Sequence, residues 1–213
     1  MPALLSVNLG IAKATRYSDA GVTGIDKRPS GDPVELRDPG PELGFSGVAG
    51  DAICDASSHG GTDQAVYAFA REELDHWQAE LSRPLGNGVF GENLTTSGLD
   101  VNGALVGERW QVGDRCVLEV TSPRIPCRTF AGWLEEQLWV KRFTDRGQPG
   151  AYLRVIVPGR VAGGDPISVI HRPDHDVTIA MMFRALTKEK ALQPQLAAAG
   201  DALPRQLRKR ILV

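Results

Sequence analysis

Glycine and proline divide the first 170 residues into short segments, and this spacing constrains the fold most strongly. The chain has 213 residues, of which 24 are glycine and 14 are proline. Short apolar runs lie between these residues, at 4–9, 65–69, 109–112, 116–121, 152–157 and 167–170. Short β-branched runs bounded by turn residues are typical of strands in an antiparallel or mixed sheet. The sequence therefore predicts a mainly β domain, with a closed barrel as its expected form.

Helices are predicted in two places within this β domain and again after it. At 71–81 and at 129–143, apolar residues recur at helical spacing on one face. Beyond residue 175, three short helices are expected: 177–186 with Asp176 as N-cap, 187 to about 199, and 204–211 with Pro204 in its first turn. The predicted class is α+β, with a barrel domain at 1–170 and a small three-helix module at 176–213.

The composition argues against several functional classes. Twenty-four basic residues stand against 26 acidic ones, which gives no support to a nucleic-acid-binding surface. No segment approaches the roughly 18 consecutive apolar residues that a membrane span needs, and no signal peptide is evident. The three cysteines are widely spaced and form no disulfide framework. We therefore expect a cytoplasmic protein with no membrane partner.

Cys127 lies in a segment that combines a strand end, two prolines and two arginines. The preceding strand is expected to stop at Pro123, and Pro126 stands directly before the cysteine. Each proline fixes its own φ and biases the residue before it away from helix. The cations of Arg124 and Arg128 and the start of the following helix favour a thiolate, which binds metals or attacks electrophiles. The alternative is a buried structural cysteine.

A pair of glycines next to a histidine forms the second candidate motif. Gly60 and Gly61 allow a close backbone approach and can present N–H groups to an anion such as a phosphate. His59 and Asp63 flank them as polar contacts. A plain glycine turn that leads into the strand at 65–69 is the alternative interpretation.

The remaining candidates are weaker on sequence alone. Glu92 and Asn93, after Gly91, offer an acceptor and an amide at the start of a strand, although polar turns have the same composition. Lys27 can meet a phosphate, but most lysines are simply solvated. Cys116 and Cys54 are not expected to be reactive, the first because it lies in an apolar strand and the second because its neighbour is acidic.

In chain order, these motifs resemble the MOSC family, named for the C-terminal domain of molybdenum cofactor sulfurase. The resemblance rests on the segments 47–51, 59–66, 90–99, 112–114 and 123–127. The helical tail resembles the three-helix module of a bacterial branch that is associated with detoxifying N-hydroxylated purines such as 6-hydroxylaminopurine. The resemblance implies a β-barrel that binds molybdenum cofactor, a pterin dithiolene with one phosphate. Pyridoxal phosphate binding is a further association at the family level.

The resemblance also implies roles for individual residues. Cys127 occupies the position that ligates molybdenum in family members that reduce N-hydroxylated compounds, and a soft thiolate suits such a metal. Arg124 is assigned to the negative charge of the cofactor, and Lys27 to its phosphate. Other cofactor contacts are expected from His59, Gly60, Gly61, Asp63, Gly91, Glu92 and Asn93. Cys127, His59 and Asp63 are the expected catalytic residues, and the proton donor is left open among His59, Asp63 and Glu92.

The implied reaction is the two-electron reduction of an N–OH group of a small molecule to N–H. No cysteine-rich iron–sulfur segment follows the predicted barrel, so the electrons are expected from a separate reductase. Two alternatives stay open: a carrier of the cofactor, or of sulfur as a Cys127 persulfide, and an acyl-transfer enzyme that uses Cys127 with His59. The substrate and the oligomeric state are left open, with a homodimer as one option.

Overall fold

The computed structural model describes residues 1–211. Within this range the strands are β1 (Ala3–Gly10), β2 (Lys13–Ala14), β3 (Val22–Thr23), β4 (Lys27–Pro29), β5 (Val34–Leu36), β6 (Val66–Ala70), β7 (Leu94–Ser97), β8 (Arg109–Val112), β9 (Cys116–Pro123), β10 (Ala151–Val157), β11 (Gly159–Val161) and β12 (Ile167–His171). The helices are α1 (Arg71–Leu81), α2 (Arg128–Leu134), α3 (Trp139–Arg146), α4 (Ile179–Thr187) and α5 (Arg205–Ile211). Two 3₁₀ segments cover Thr62–Gln64 and Lys190–Ala202.

Eight of the strands form one sheet in the order β12-β8-β9-β10-β6-β7-β1-β4. Its pairs are antiparallel except for β6 and β7, which run parallel. The predicted α+β class is confirmed, whereas the sheet is not closed into a complete barrel. The start of β1 meets the start of β12 through an isolated bridge between Ala3 and Pro166, with backbone hydrogen bonds from Leu4 N–H to the Asp165 carbonyl at 2.9 Å and from Ile167 N–H to the Pro2 carbonyl at 3.0 Å. Pro2, which lies opposite Ile167, has no N–H to donate, so the return hydrogen bond of a regular ladder is missing there.

Both faces of the sheet are covered by apolar side chains. All five residues of β6 are buried, and they alternate between the two faces. Val66 and Ala68 join a mainly aliphatic core, while Tyr67 and Phe69 join an aromatic cluster shared with α1, α2 and α3. Packing on both faces therefore fixes the position of this central strand, whose first residues border the cavity described below.

Of the two helices predicted within the β domain, one is confirmed and the other is not. α1 covers the predicted range, but the single helix predicted at 129–143 is wrong, because the structure forms α2 and α3 instead. Glu135 ends α2 in a left-handed backbone conformation with φ of 55°, and Leu138, directly before α3, is left-handed as well with φ of 53°. The break directs Phe130, Trp139 and Phe143 into the same aromatic cluster.

Three helical segments close the described chain. The first, α4, does not start after Asp176 as predicted, because Thr178 is its N-cap and accepts a hydrogen bond from the Met181 N–H at 3.1 Å. The second is a 3₁₀ segment, and Gly200 breaks its helical geometry with φ of 50°. Across residues 1–211, no helix combines the length and the apolar character that crossing a membrane requires.

Candidate functional site

A cavity of about 770 Å³ lies beside the start of β6 and the end of β9. Its wall is formed by the hairpin of β2 and β3, the loop at 52–60, the starts of β4, β6 and β7, and the segment that follows β9. The sequence-predicted residues that line it are Lys27, His59, Gly60, Gly91, Asn93, Arg124 and Cys127. Segments far apart in sequence therefore meet here, and the cysteine faces the same space as the histidine loop.

Two predicted residues of the histidine loop lie outside this cavity. Gly61 does not line it, and its N–H donates to the carbonyl of Phe45 at 3.0 Å. The carboxylate of Asp63 accepts from Arg154 Nε and from the backbone N–H of Arg205, each at 2.7 Å. Asp63 thus anchors the C-terminal segment to the sheet, and its position does not support the predicted catalytic role.

Glu92 is also absent from the cavity lining. Its buried carboxylate accepts from the Gly88 N–H at 2.5 Å, the Phe90 N–H at 3.0 Å and Thr95 Oγ1 at 2.9 Å. Burial raises the pKa of this carboxyl group, and these hydrogen bonds act against that rise. Glu92 therefore organises the turn before β7, and its position does not support the predicted contact with a pterin or a substrate.

Lys27 lines the cavity, but its charge already has a partner. The ammonium group forms an ion pair with the fully buried carboxylate of Asp51. Asp51 also accepts from Asn93 Nδ2 at 2.9 Å and from the Gly10 N–H at 2.8 Å. The phosphate contact predicted for Lys27 would have to compete with this internal pair.

Arg124 is the cation of this site that lacks a counter-ion. Its residue surface is only 6% exposed, and its guanidinium carbon lies 3.8 Å from the ring centroid of Phe130 and 5.6 Å from that of Tyr67. Nη1 is buried without a hydrogen-bond partner, and no carboxylate of residues 1–211 forms an ion pair with this side chain. Burying an uncompensated charge costs on the order of 3 kcal/mol. An anionic ligand in the cavity would offset this cost.

The two arginines that flank Cys127 have separate roles. Arg128 is exposed and reaches the β2–β3 hairpin, where it contacts Asp19 Oδ1 at 3.3 Å and the Arg16 carbonyl at 3.2 Å. Only Arg124 is buried beside the cavity. Cys127 itself is a partly buried free thiol at the N-cap of α2, so the predicted strand-to-helix junction is confirmed.

His59 is held as a neutral imidazole. Burial and then the charge of Arg124 lower its pKa, while the carboxylate of Asp55 and the neighbouring Gln64 amide act in the opposite direction. The structure records no hydrogen bond between His59 and Cys127 within residues 1–211. The acyl-transfer alternative, which needs such a pair, gains no support from this arrangement.

The sequence analysis did not assign Cys54, Gln64, Tyr67 or Tyr152 to the site, yet these residues line the cavity. Gln64 Oε1 is buried without a hydrogen-bond partner, and burial raises the pKa of the Cys54 thiol. The Tyr67 and Tyr152 rings pack with centroids 5.2 Å apart and form an aromatic wall. Gln64 follows the histidine motif directly, but the strand register that pairs the two tyrosines cannot be seen in the sequence.

The donor groups of the cavity restrict what metal chemistry it can support. In the described part of the chain, no group of three or more His, Cys, Asp or Glu side chains is placed to hold a metal ion. A metal bound at Cys127 would therefore need its other ligands from a bound molecule. A metal that arrives within an anionic organic cofactor meets this requirement, and Arg124 offers the matching charge.

Comparison with known proteins agrees with this architecture. Residues 55–168 match the family model described as MOSC domain. The protein YflK of Bacillus subtilis (strain 168) is 34% identical over 182 residues, which cover 85% of this chain and 79% of YflK. A protein of Gibberella moniliformis named reductase is 33% identical over 132 residues, but these cover 60% of this chain and only 23% of that protein.

A solved structure extends the agreement over the whole chain. The crystal structure of YiiM from Geobacillus stearothermophilus superimposes with a TM-score of 0.78 at 25% identity, and it covers 100% of this chain and 98% of YiiM. The matched family region contains the loop of His59 and the segment of Arg124 and Cys127. The chain therefore belongs to the MOSC domain family.

Proposed function

We propose that this protein binds molybdenum cofactor in the cavity and reduces N-hydroxylated compounds, converting N–OH to N–H. The observation that carries the proposal is the buried, unpaired guanidinium of Arg124 in the same cavity as the free thiol of Cys127. The membership of the MOSC family and the reductase name of one relative support this class of chemistry.

The residues of the cavity fit such a cofactor in three ways. Arg124 supplies a charge-assisted donor for its anionic groups, and Cys127 supplies one soft sulfur ligand for the metal. The cofactor's own dithiolene would supply the sulfur ligands that the protein does not offer. The cavity volume of about 770 Å³ also lies within the usual range for small-molecule sites.

The reaction needs two electrons and two protons for each N–OH group. When bound, the cofactor supplies the two-electron redox chemistry, and the electrons come from a separate reductase protein. Arg124 holds the negative charge, and the neutral His59 lines the polar side of the cavity without adding a further cation. We place this activity in the cytoplasm, in the detoxification of N-hydroxylated bases such as 6-hydroxylaminopurine.

Paired cysteine variants test the metal ligand. The full chain, its Cys127→Ser variant and its Cys54→Ser variant are purified from cells that make the cofactor. Molybdenum, pterin and reduction of a hydroxylaminopurine with a chemical electron donor are then measured. We expect Cys127→Ser to lose metal and turnover, and Cys54→Ser, altered in the same cavity, to keep both.

Other outcomes would redirect the proposal. Loss of metal in Cys54→Ser but not in Cys127→Ser would contradict the ligand assignment. Bound molybdenum in the unaltered chain without turnover from any donor would favour a cofactor carrier. Absence of both molybdenum and pterin, together with a persulfide on Cys127, would favour a sulfur carrier.

A further inference from the structure

We propose that the hydroxyl of Tyr152 donates a proton to the oxygen that leaves the substrate when its N–O bond breaks. The inference rests on the proposed function and assigns a catalytic residue that the sequence analysis did not consider. Of its three proton-donor candidates, Asp63 and Glu92 lie outside the cavity with their carboxylates already hydrogen-bonded. The cavity therefore needs a different donor or must rely on His59 alone.

Tyr152 is fixed by strands on both sides. On β10 it pairs with Tyr67 of β6 and with Ser122 of β9. The register between β9 and β10 shifts directly after Tyr152, so that Thr121 is left as an extra residue on β9. Thr121 Oγ1 hydrogen-bonds to the Tyr152 carbonyl at 2.9 Å. Such bulges are common next to active sites, where they redirect a side chain, and here the tyrosine lines the cavity.

The hydroxyl of Tyr152 is available to a ligand. The structure records no hydrogen bond for it from any of residues 1–211, although its ring packs against that of Tyr67. Tyr67 provides the contrast, because its hydroxyl donates to the Pro149 carbonyl at 2.8 Å. One phenol of the aromatic wall is thus committed to the fold, whereas the other can donate to a ligand.

The electrostatic surroundings of Tyr152 keep its phenol protonated before the reaction. Burial raises the pKa of Tyr152, so the phenol keeps its proton at neutral pH. The charge of Arg124 acts in the opposite direction and would stabilise the phenolate once the proton has left, whereas negative charge on the nearby Cys127 raises the pKa further. His59 is less suited, because its lowered pKa leaves the imidazole without a second proton at neutral pH.

The step balances as follows for a hydroxylamine R–NH–OH. Two electrons from the reductase and two protons convert it to R–NH₂ and water, with cleavage of the N–O bond. Tyr152 gives one proton to the departing oxygen, and solvent gives the other. The phenolate beside Arg124 then regains its proton from solvent before the next turnover.

Tyr152→Phe is the first test, with Tyr67→Phe as its matched control. Removing a general acid slows the chemical step by about a hundredfold or more, so kcat of the loaded Tyr152→Phe variant should fall with KM and molybdenum content unchanged. Tyr67→Phe removes a hydroxyl from the neighbouring ring, and we expect it to lower stability instead. A Tyr152→Phe variant with unchanged kcat would overturn the proposal.

Fluorinated tyrosines give a readout that a purely structural role would not move. Replacing Tyr152 with fluorotyrosines of decreasing phenol pKa should shift the alkaline limb of kcat to lower pH in the same order. The same replacements at Tyr67 should leave that limb in place. The assignment of Tyr152 as proton donor would be overturned if the alkaline limb of kcat did not shift across the fluorotyrosine series at position 152, or if it shifted only in the His59→Asn variant.

A binding measurement separates this inference from the proposed function. The ¹⁹F resonance of 3-fluorotyrosine at position 152 should shift when the hydroxylamine substrate is added to loaded protein, whereas the same probe at 67 should not. If the unaltered chain carries no molybdenum and reduces no N–OH group, the proposed function has failed. If it reduces the substrate while the probe at 152 stays unmoved, only the role of Tyr152 has failed.

Discussion

At the scale of single residues, the unpaired charge of Arg124 is the feature that distinguishes the cavity from an ordinary structural core. Sequence reasoning could identify Arg124, Cys127 and His59, because their motifs have distinctive composition and the structure does bring them into one cavity. It could not show that Asp63 turns away towards Arg154, because ion pairs between distant segments leave no local signal. Sequence reasoning also could not identify Tyr152, because an isolated tyrosine in a strand is common in protein cores.

Arg124→Met should therefore stabilise the metal-free protein while it weakens binding of the cofactor. Removing an unpaired buried charge relieves its desolvation cost, which exceeds the cation–π gain, and we expect a net increase of about 1 kcal/mol. Arg154→Met is the control, because Arg154 is paired with Asp63 and Glu119. That change should cost about 3 kcal/mol, because it leaves Asp63 without a cation and Glu119 with Arg109 alone. Chemical denaturation of both variants checks the contrast, and equal losses would refute it.

At the scale of elements, the hairpin of β2 and β3 covers the cavity but is weakly held. None of residues 11–23 is buried, and the hairpin contacts α2 through Arg128 and through Thr129 Oγ1, which donates to the Tyr17 carbonyl at 3.2 Å. A Cβ on Gly132 of α2 would overlap the Tyr17 ring. The apolar periodicity of α1 predicted its bounds, whereas the break between α2 and α3 carries no glycine or proline that would mark it.

Gly132→Ala should loosen this hairpin without weakening the rest of the fold. The added methyl group displaces Tyr17, while alanine favours the helix by up to about 1 kcal/mol. We expect proteolytic cleavage within residues 13–23 to accelerate several-fold while global unfolding stays in place. Gly86→Ala is the control, because a Cβ there meets nothing within 4 Å. Equal cleavage rates in the two variants would show that Tyr17 does not hold the hairpin.

At the scale of the whole molecule, Asp63 connects the histidine loop to the C-terminal segment. Arg154 contacts Asp63 Oδ1 at 2.7 Å, Glu119 Oε1 at 2.9 Å and the Leu203 carbonyl at 3.1 Å. The short apolar runs predicted most strands of the main sheet, and together with the predicted helices they gave the α+β fold class. The strand order and these long-range contacts could not be predicted, because they depend on register between segments many residues apart.

Asp63→Asn tests whether this residue serves the fold or the reaction. Losing the charge weakens its hydrogen bonds to Arg154 and to the Arg205 N–H, and we expect a loss of about 2 kcal/mol in the free energy of unfolding. Molybdenum content and kcat should remain close to those of the unaltered chain at a temperature where the variant is folded. A fully stable variant that has lost turnover would restore the catalytic role predicted from the sequence.

X-ray absorption at the molybdenum edge tests the central claim most directly. Cys127 is replaced by selenocysteine in protein loaded with the cofactor, and the scattering atoms around the metal are identified. A molybdenum–selenium contribution is expected, since the account makes this side chain a ligand of the metal. Molybdenum surrounded only by oxygen and sulfur in a fully loaded selenocysteine protein would contradict it.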